Sequence, residues 1–299
     1  MNTLRSFRDY VVYMNSDTRT VQGFTGLLLN KVPEVTVYFW LIKVLSTTVG
    51  ETAADFLDTN LGLGLTTTTL VMAALLAGAL VAQFRAARYL PAIYWVSVVL
   101  ISIVGTLITD ILSDTYNVPL EVTTAIFTAA LATAFTIWYG TERTLSIHTI
   151  FTRRRESFYW LAILFTFALG TAAGDLLAER LSLGYGVSLL VFGGLIVLVY
   201  MARFAFRINP VACFWAAYVL TRPLGASLGD LLSQPRDAGG LGFGTTATSG
   251  MFLAAIVVLV AYLTFTKTDV DAEPAYPVAA GRYGSDPRHL ASRRARASR

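Results

Sequence analysis

Residues 38–57, YFWLIKVLSTTVGETAADFL, start as a membrane span and finish with two carboxylates, Glu51 and Asp55, one helical turn apart. Acidic side chains in lipid are costly, roughly 2.5–3.5 kcal/mol each at a span's centre, so their presence needs a reason. The reason is repetition. Counting from Trp40, a glycine follows at +10 (Gly50) and an aspartate at +15 (Asp55). Trp95, Gly105 and Asp110 repeat that spacing, as do Trp160, Gly170 and Asp175, and then Trp215, Gly225 and Asp230. An aromatic precedes each tryptophan: Phe39, Tyr94, Tyr159 and Phe214. Four ungapped occurrences of W-x9-G-x4-D are a duplicated unit.

Composition sets the class around that unit. Hydrophobic residues make up 55% of the 299-residue chain and charged residues only 14%, with a mean hydropathy of +0.59. A soluble domain carries roughly 25% charged residues. Apolar runs long enough to cross a bilayer fall at 37–57, 66–84, 92–112, 120–139, 158–178, 186–206, 212–232 and 246–266. The expectation is an all-α polytopic membrane protein of eight transmembrane helices, arranged as four parallel two-helix repeats (37–84, 92–139, 158–206, 212–266). Each repeat crosses twice, so all four enter in the same direction, related by pseudo-symmetry about the membrane normal. A four-fold ring and two pairs of hairpins both satisfy this. Residues 1–36 form an N-terminal segment without an evident cleavable signal, and 267–299 a basic, disordered tail.

Charge gives the orientation. Eighteen of the 23 Lys and Arg lie in the N-terminal segment, the connections after even-numbered spans and the tail. Only Arg180 and Arg236 lie on the other face, which predicts cytoplasmic termini. That bias also accounts for the net charge of +4 without a nucleic-acid partner. One cysteine (Cys213) and two histidines (His148, His289) leave no internal disulfide, cysteine-rich zinc site or haem, so no cofactor is expected. No nucleophile-elbow, P-loop or zinc-protease motif appears, and the protein reads as a non-enzyme.

Helical phase places the polar residues. At about 100° per residue, positions +7, +11 and +15 share one stripe, with +10 beside it. The stripe reads Thr47, Glu51, Asp55; Ser102, Thr106, Asp110; Phe167, Thr171, Asp175; and Arg222, Ala226, Asp230. It is expected to face other helices or water, with Gly50, Gly105, Gly170 and Gly225 allowing close helix packing. Trp40, Trp95, Trp160 and Trp215 read as anchors at the inner headgroups. The aspartates have two readings: hydrogen-bonded caps that tie the hairpins together, or a cation site in the outer half.

Two repeats break the pattern. Glu51 beside Asp55 places like charges one turn apart, a repulsion relieved by a proton or a shared cation. Arg222, followed by Pro223 near mid-membrane, needs an internal partner, and Glu51 is the obvious one. Lys43, one turn from the cytoplasmic surface, is expected to snorkel outward. In the central loop, Arg153, Arg154 and Arg155 fix topology, and Glu142 and His148 read as plain loop residues or a cytoplasmic gate.

With NKVPEVTVYFWLIKVLSTTVGETAADFL (30–57) and FYWLAILFTFALGTAAGDLLAE (158–179), the chain resembles bacterial membrane-anchored proteins built from a four-times-repeated domain of unknown function. The resemblance covers about 28–266 and implies a bacterial inner-membrane location. The leading functional expectation is a secondary transporter or permease for a small cation, a proton or a hard divalent ion such as Mn²⁺ or Mg²⁺. Glu51, Asp55, Asp110, Asp175 and Asp230 would bind it and Arg222 would act as coupling counter-ion. The alternative is a non-transporting scaffold in which the same residues are structural.

Overall fold

The computed structural model describes residues 30–60, 62 and 64–270. The segment before residue 30 and the tail from 271, with His289, lie outside them. Eight long α-helices run in chain order among the described residues: α1 (Val37–Asp55), α2 (Leu65–Arg85), α3 (Pro91–Asp110), α4 (Leu120–Glu142), α5 (Arg153–Asp175), α6 (Tyr185–Ala205), α7 (Pro210–Ser233) and α8 (Thr245–Thr266). Seven are long and apolar enough to cross a membrane, which marks a multi-pass integral membrane protein. The exception is α1, whose Lys43, Glu51 and run of hydroxyl residues lower its hydropathy.

Local sequence starts and stops these helices. Thr36, Thr152 and Asn209 cap α1, α5 and α7 by accepting backbone N–H bonds from Phe39 (3.3 Å), Arg155 (3.3 Å) and Val211 (2.8 Å). Pro91 and Pro210 occupy first-turn positions of α3 and α7, where a missing N–H is harmless. Gly64, Gly184 and Gly244 precede α2, α6 and α8 with φ of +75°, +77° and +79°, a backbone shape that glycine adopts without strain. Past the repeated aspartate, α1, α3 and α5 each widen into a π-helical turn: Phe56–Asn60, Ile111–Thr115 and Leu176–Arg180. In contrast, α7 stays α-helical through Pro223 to Ser233.

The odd-numbered helices pack in a closed circuit, α1 on α3, α3 on α5, α5 on α7 and α7 on α1. Each even-numbered helix lies against the odd-numbered helix of the following repeat rather than the one it follows: α2 on α3, α4 on α5, α6 on α7 and α8 on α1. The repeat is therefore not a self-contained hairpin; its two helices are shared with the next copy. Only 11–22% of each outer span is buried, against 44–67% for α3, α5 and α7, so the outer helices present their apolar sides outward.

Two repeated positions make the circuit. A Cβ on Gly50 would overlap the Ser102 side chain, and one on Gly105 would lie 2.7 Å from Phe167 Cβ. Gly170 meets Arg222 in the same way, and Gly225 meets Thr47. The +10 glycine of each repeat is thus filled by the +7 residue of the next. Small residues of this kind let helices approach closely where packing drives association. The aromatic before each tryptophan follows the same rule: ring centroids are 5.7 Å apart for Phe39–Trp95, 5.5 Å for Tyr94–Trp160, 6.2 Å for Tyr159–Trp215 and 5.6 Å for Phe214–Trp40.

That arrangement corrects the reading of the tryptophans as headgroup anchors. Trp95, Trp160 and Trp215 are buried and only Trp40 is partly exposed. An anchor must expose its ring at the interface; these rings meet at tilted and edge-on angles between repeats and plug one end of the circuit. The Tyr94 and Tyr159 hydroxyls meet there at 2.5 Å.

Residues 30–36 lie across the same end. Lys31 donates to Glu156 at 2.8 Å and to the Phe84 carbonyl, and Gln83 donates to Glu156 and to the Lys31 carbonyl. After α8, Asp269 accepts from Tyr89 at 2.6 Å and its carbonyl accepts from the Glu34 N–H. Burial and then the adjoining Asp269 carboxylate hold the Tyr89 hydroxyl well above its ordinary pKa, so it stays a donor.

Candidate functional site

The end of the circuit away from the tryptophans holds a cavity of about 230 Å³. All four repeated aspartates, Asp55, Asp110, Asp175 and Asp230, line it together with Glu51. The sequence reading missed Asp58, Asp114 and Glu179, which join the same wall. Asp114, Glu179 and Gln234 sit four residues past a repeated aspartate, so extending the polar stripe by one turn would have found them. The π-helical turns carry Asp58, Asp114 and Glu179. Asp55 accepts from Gln234 at 3.5 Å, whereas Glu179 accepts from Tyr185.

Eight carboxylates thus share one small space, and a buried cation lies behind one of them, Glu51. Arg222 is fully buried, and its Nη2 donates to Glu51 Oε2 at 2.8 Å and to Thr171 at 2.7 Å. The same nitrogen donates to Thr106, while Nη1 reaches the Thr47 carbonyl at 3.4 Å. The polar stripe therefore assembles around the guanidinium: Glu51 and the Thr47 carbonyl from α1, Thr106 from α3 and Thr171 from α5. Ser102 is buried against Gly50 instead and its hydroxyl has no partner among the described residues. Hydroxyl donors and acceptors around a buried ion pair are what makes such a pair tolerable.

Closest together are Glu51, Asp175 and Asp230, with one carboxylate oxygen of each within 4.8 Å of the others. At that separation and an effective dielectric of about 20, two full negative charges repel by about 3–4 kcal/mol. A proton or a cation relieves this, and the walls offer only oxygen ligands.

Beneath the floor the structure departs from expectation. Lys43 does not snorkel; it is fully buried, its Nζ 4.1 Å from the Phe167 ring centroid and 4.3 Å from that of Tyr218. The ammonium has no hydrogen-bond partner among the described residues. Arg222 shares the Phe167 ring, 5.7 Å from its centroid. The long lysine stem turns inward because the circuit offers an aromatic cage there, and cation–π attraction offsets part of the desolvation. Replacing Lys43 by methionine keeps the length and removes the buried, unpartnered nitrogen. Lys43→Met is expected to raise stability by about 1–2 kcal/mol, read as a higher melting temperature in detergent. A lower one would mean that the cage more than compensates the ammonium.

The central loop forms a separate surface cluster. Glu142 accepts from Arg154 and from Arg155 (2.7 Å), and His148 lies 3.1 Å from Glu34. These residues sit apart from the cavity.

A family model described as "Repeat of Unknown Function (DUF347)" matches four segments, residues 38–89, 93–144, 158–209 and 213–269. Their starts and lengths follow the four tryptophan-centred repeats. No curated protein and no solved structure matches the chain.

Proposed function

The chain belongs to the DUF347 repeat family, and we propose that it is a secondary transporter or permease for a small cation, a proton or a hard divalent ion, rather than an enzyme. The observation that carries this is the cavity, in which carboxylates from all four repeats converge above one buried arginine. In this reading α1 is the eighth crossing, and the four repeats sit about an axis along the membrane normal in a bacterial inner membrane. The basic residues put both termini in the cytoplasm. The acidic cavity then opens outward and concentrates cations, as a low-dielectric cleft of one sign does. Arg222 sets the charge of the floor and couples it to ion movement, and the aromatic plug at the tryptophan end is the closed side of the pathway.

Flux into proteoliposomes tests this directly. Protein reconstituted with indicators for H⁺, Mn²⁺ and Mg²⁺ should pass at least one of them, and Asp55→Asn and Glu51→Gln should each reduce that flux at least tenfold. Undiminished flux in both variants would remove the acidic cavity from the pathway. Absence of flux for every cation would favour a scaffold in which the repeats only build the circuit.

A further inference from the structure

Glu51, Asp175 and Asp230 come from three helices, α1, α5 and α7, yet their carboxylate oxygens meet within 4.8 Å. An acidic cavity could bring this about without a ligand, but the partners of these groups are unequal. Asp230 is only 7% exposed and lines the cavity, and its carboxylate has no hydrogen-bond or ion-pair partner among the described residues. Its oxygens face the cavity, so their lone pairs are left to whatever occupies that space. Asp175 likewise has no side-chain partner. Glu51 is divided: Oε2 takes Arg222 at 2.8 Å, and the second oxygen accepts nothing among the described residues.

We propose that Glu51, Asp175 and Asp230 bind one hard divalent cation of the Mg²⁺, Ca²⁺ or Mn²⁺ class, with Arg222 holding Glu51 from behind. The charge balance suits this ion. Within this set, three carboxylates and one guanidinium leave two negative charges, which a divalent cation neutralises; the five other carboxylates of the cavity stand outside the set. The geometry suits it as well. Oxygen ligands at about 2.0–2.6 Å from an ion stand about 3–5 Å from one another, so the observed separation needs at most a small inward movement of side chains. With oxygen donors alone, the site favours hard ions over zinc or copper. Arg222 fixes Glu51 through its other oxygen, as an outer partner orients a metal ligand. The site deepens the permease reading and rests on it for its purpose, but binding can be measured apart from transport.

The full chain in detergent, titrated with Mn²⁺ and followed by the paramagnetic signal of the free ion, should bind one Mn²⁺ per molecule. Asp175→Asn and Asp230→Asn should each weaken binding at least tenfold. Glu121→Gln, which alters an exposed pair with Arg180, should leave it unchanged. A second measurement needs no variant: Mn²⁺ should protect Glu51 and Asp230 of the wild-type protein from a carbodiimide while leaving Glu121 reactive. Wild-type-like binding in folded Asp175→Asn and Asp230→Asn, or no protection at millimolar Mn²⁺, would overturn the site. Binding at these residues without flux would keep the site and remove the permease reading. Flux and binding both undiminished in the two variants would do the reverse.

Discussion

Glu51→Ala is expected to destabilise the protein by about 3–5 kcal/mol, the largest single effect for any carboxylate of the cavity. The magnitude comes from what is left behind. Arg222 is fully buried, its one carboxylate partner is Glu51, and its Nε already lacks an acceptor among the described residues. Removing Glu51 strands a guanidinium with only two threonine hydroxyls and a backbone carbonyl. The matching control removes both charges. Glu51→Ala combined with Arg222→Met should recover most of the stability lost in either single variant, because an absent ion pair is far less harmful than half of one. Detergent melting curves of the single and double variants measure this coupling. Equal losses in both would mean that the pair contributes packing and not charge.

Gly105→Val should be strongly damaging, as should the same change at the other three circuit glycines. A Cβ there falls 2.7 Å from Phe167 Cβ and 3.2 Å from the Ala168 backbone nitrogen, so no side-chain rotation relieves it. Helices α3 and α5 must separate, and that contact is one link of a closed circuit. Overpacking of this kind costs about 1–3 kcal/mol in ordinary cores, and the branched side chain places it at the upper end or beyond. Gly78→Ala and Gly186→Ala, where a Cβ meets nothing within 4 Å, should be neutral or slightly stabilising. Comparing monodisperse yield and melting temperature across the three separates a packing effect from helix propensity. A Gly105→Val protein that melts with the wild type would show that the circuit is looser than its contacts.

Much of this architecture can be read from the repeated spacing. Period and phase tell which side chains share a face, so the Trp, Gly and Asp positions and the polar stripe follow from W-x9-G-x4-D alone. Arg222 in mid-span demanded a carboxylate, and Glu51 was the acidic residue that only one repeat carried. What period cannot tell is which neighbour a face meets. Nothing in the spacing distinguishes a circuit from two pairs, or places α2 on α3 rather than on α1. Lys43 was misread for the same reason. A long amphipathic side chain near a helix end can reach outward or inward, and the aromatic cage that draws it in comes from Phe167 and Tyr218, far along the chain. The tryptophans were misread because an indole suits a headgroup layer and a buried aromatic plug equally well. Asp114 and Glu179 were missed because the stripe was stopped at the repeated aspartate, one turn too soon.

Because α8 lies on α1 and Gly225 takes Thr47 as Gly50 takes Ser102, the fourth copy precedes the first as surely as the first precedes the second. The Glu34 N–H meets the Asp269 carbonyl at 3.0 Å, so the described stretch begins and ends at one place. Its sequence is linear, but its contacts have no beginning. The Glu51–Arg222 pair, which joins the first copy to the fourth, spans the break in that circle.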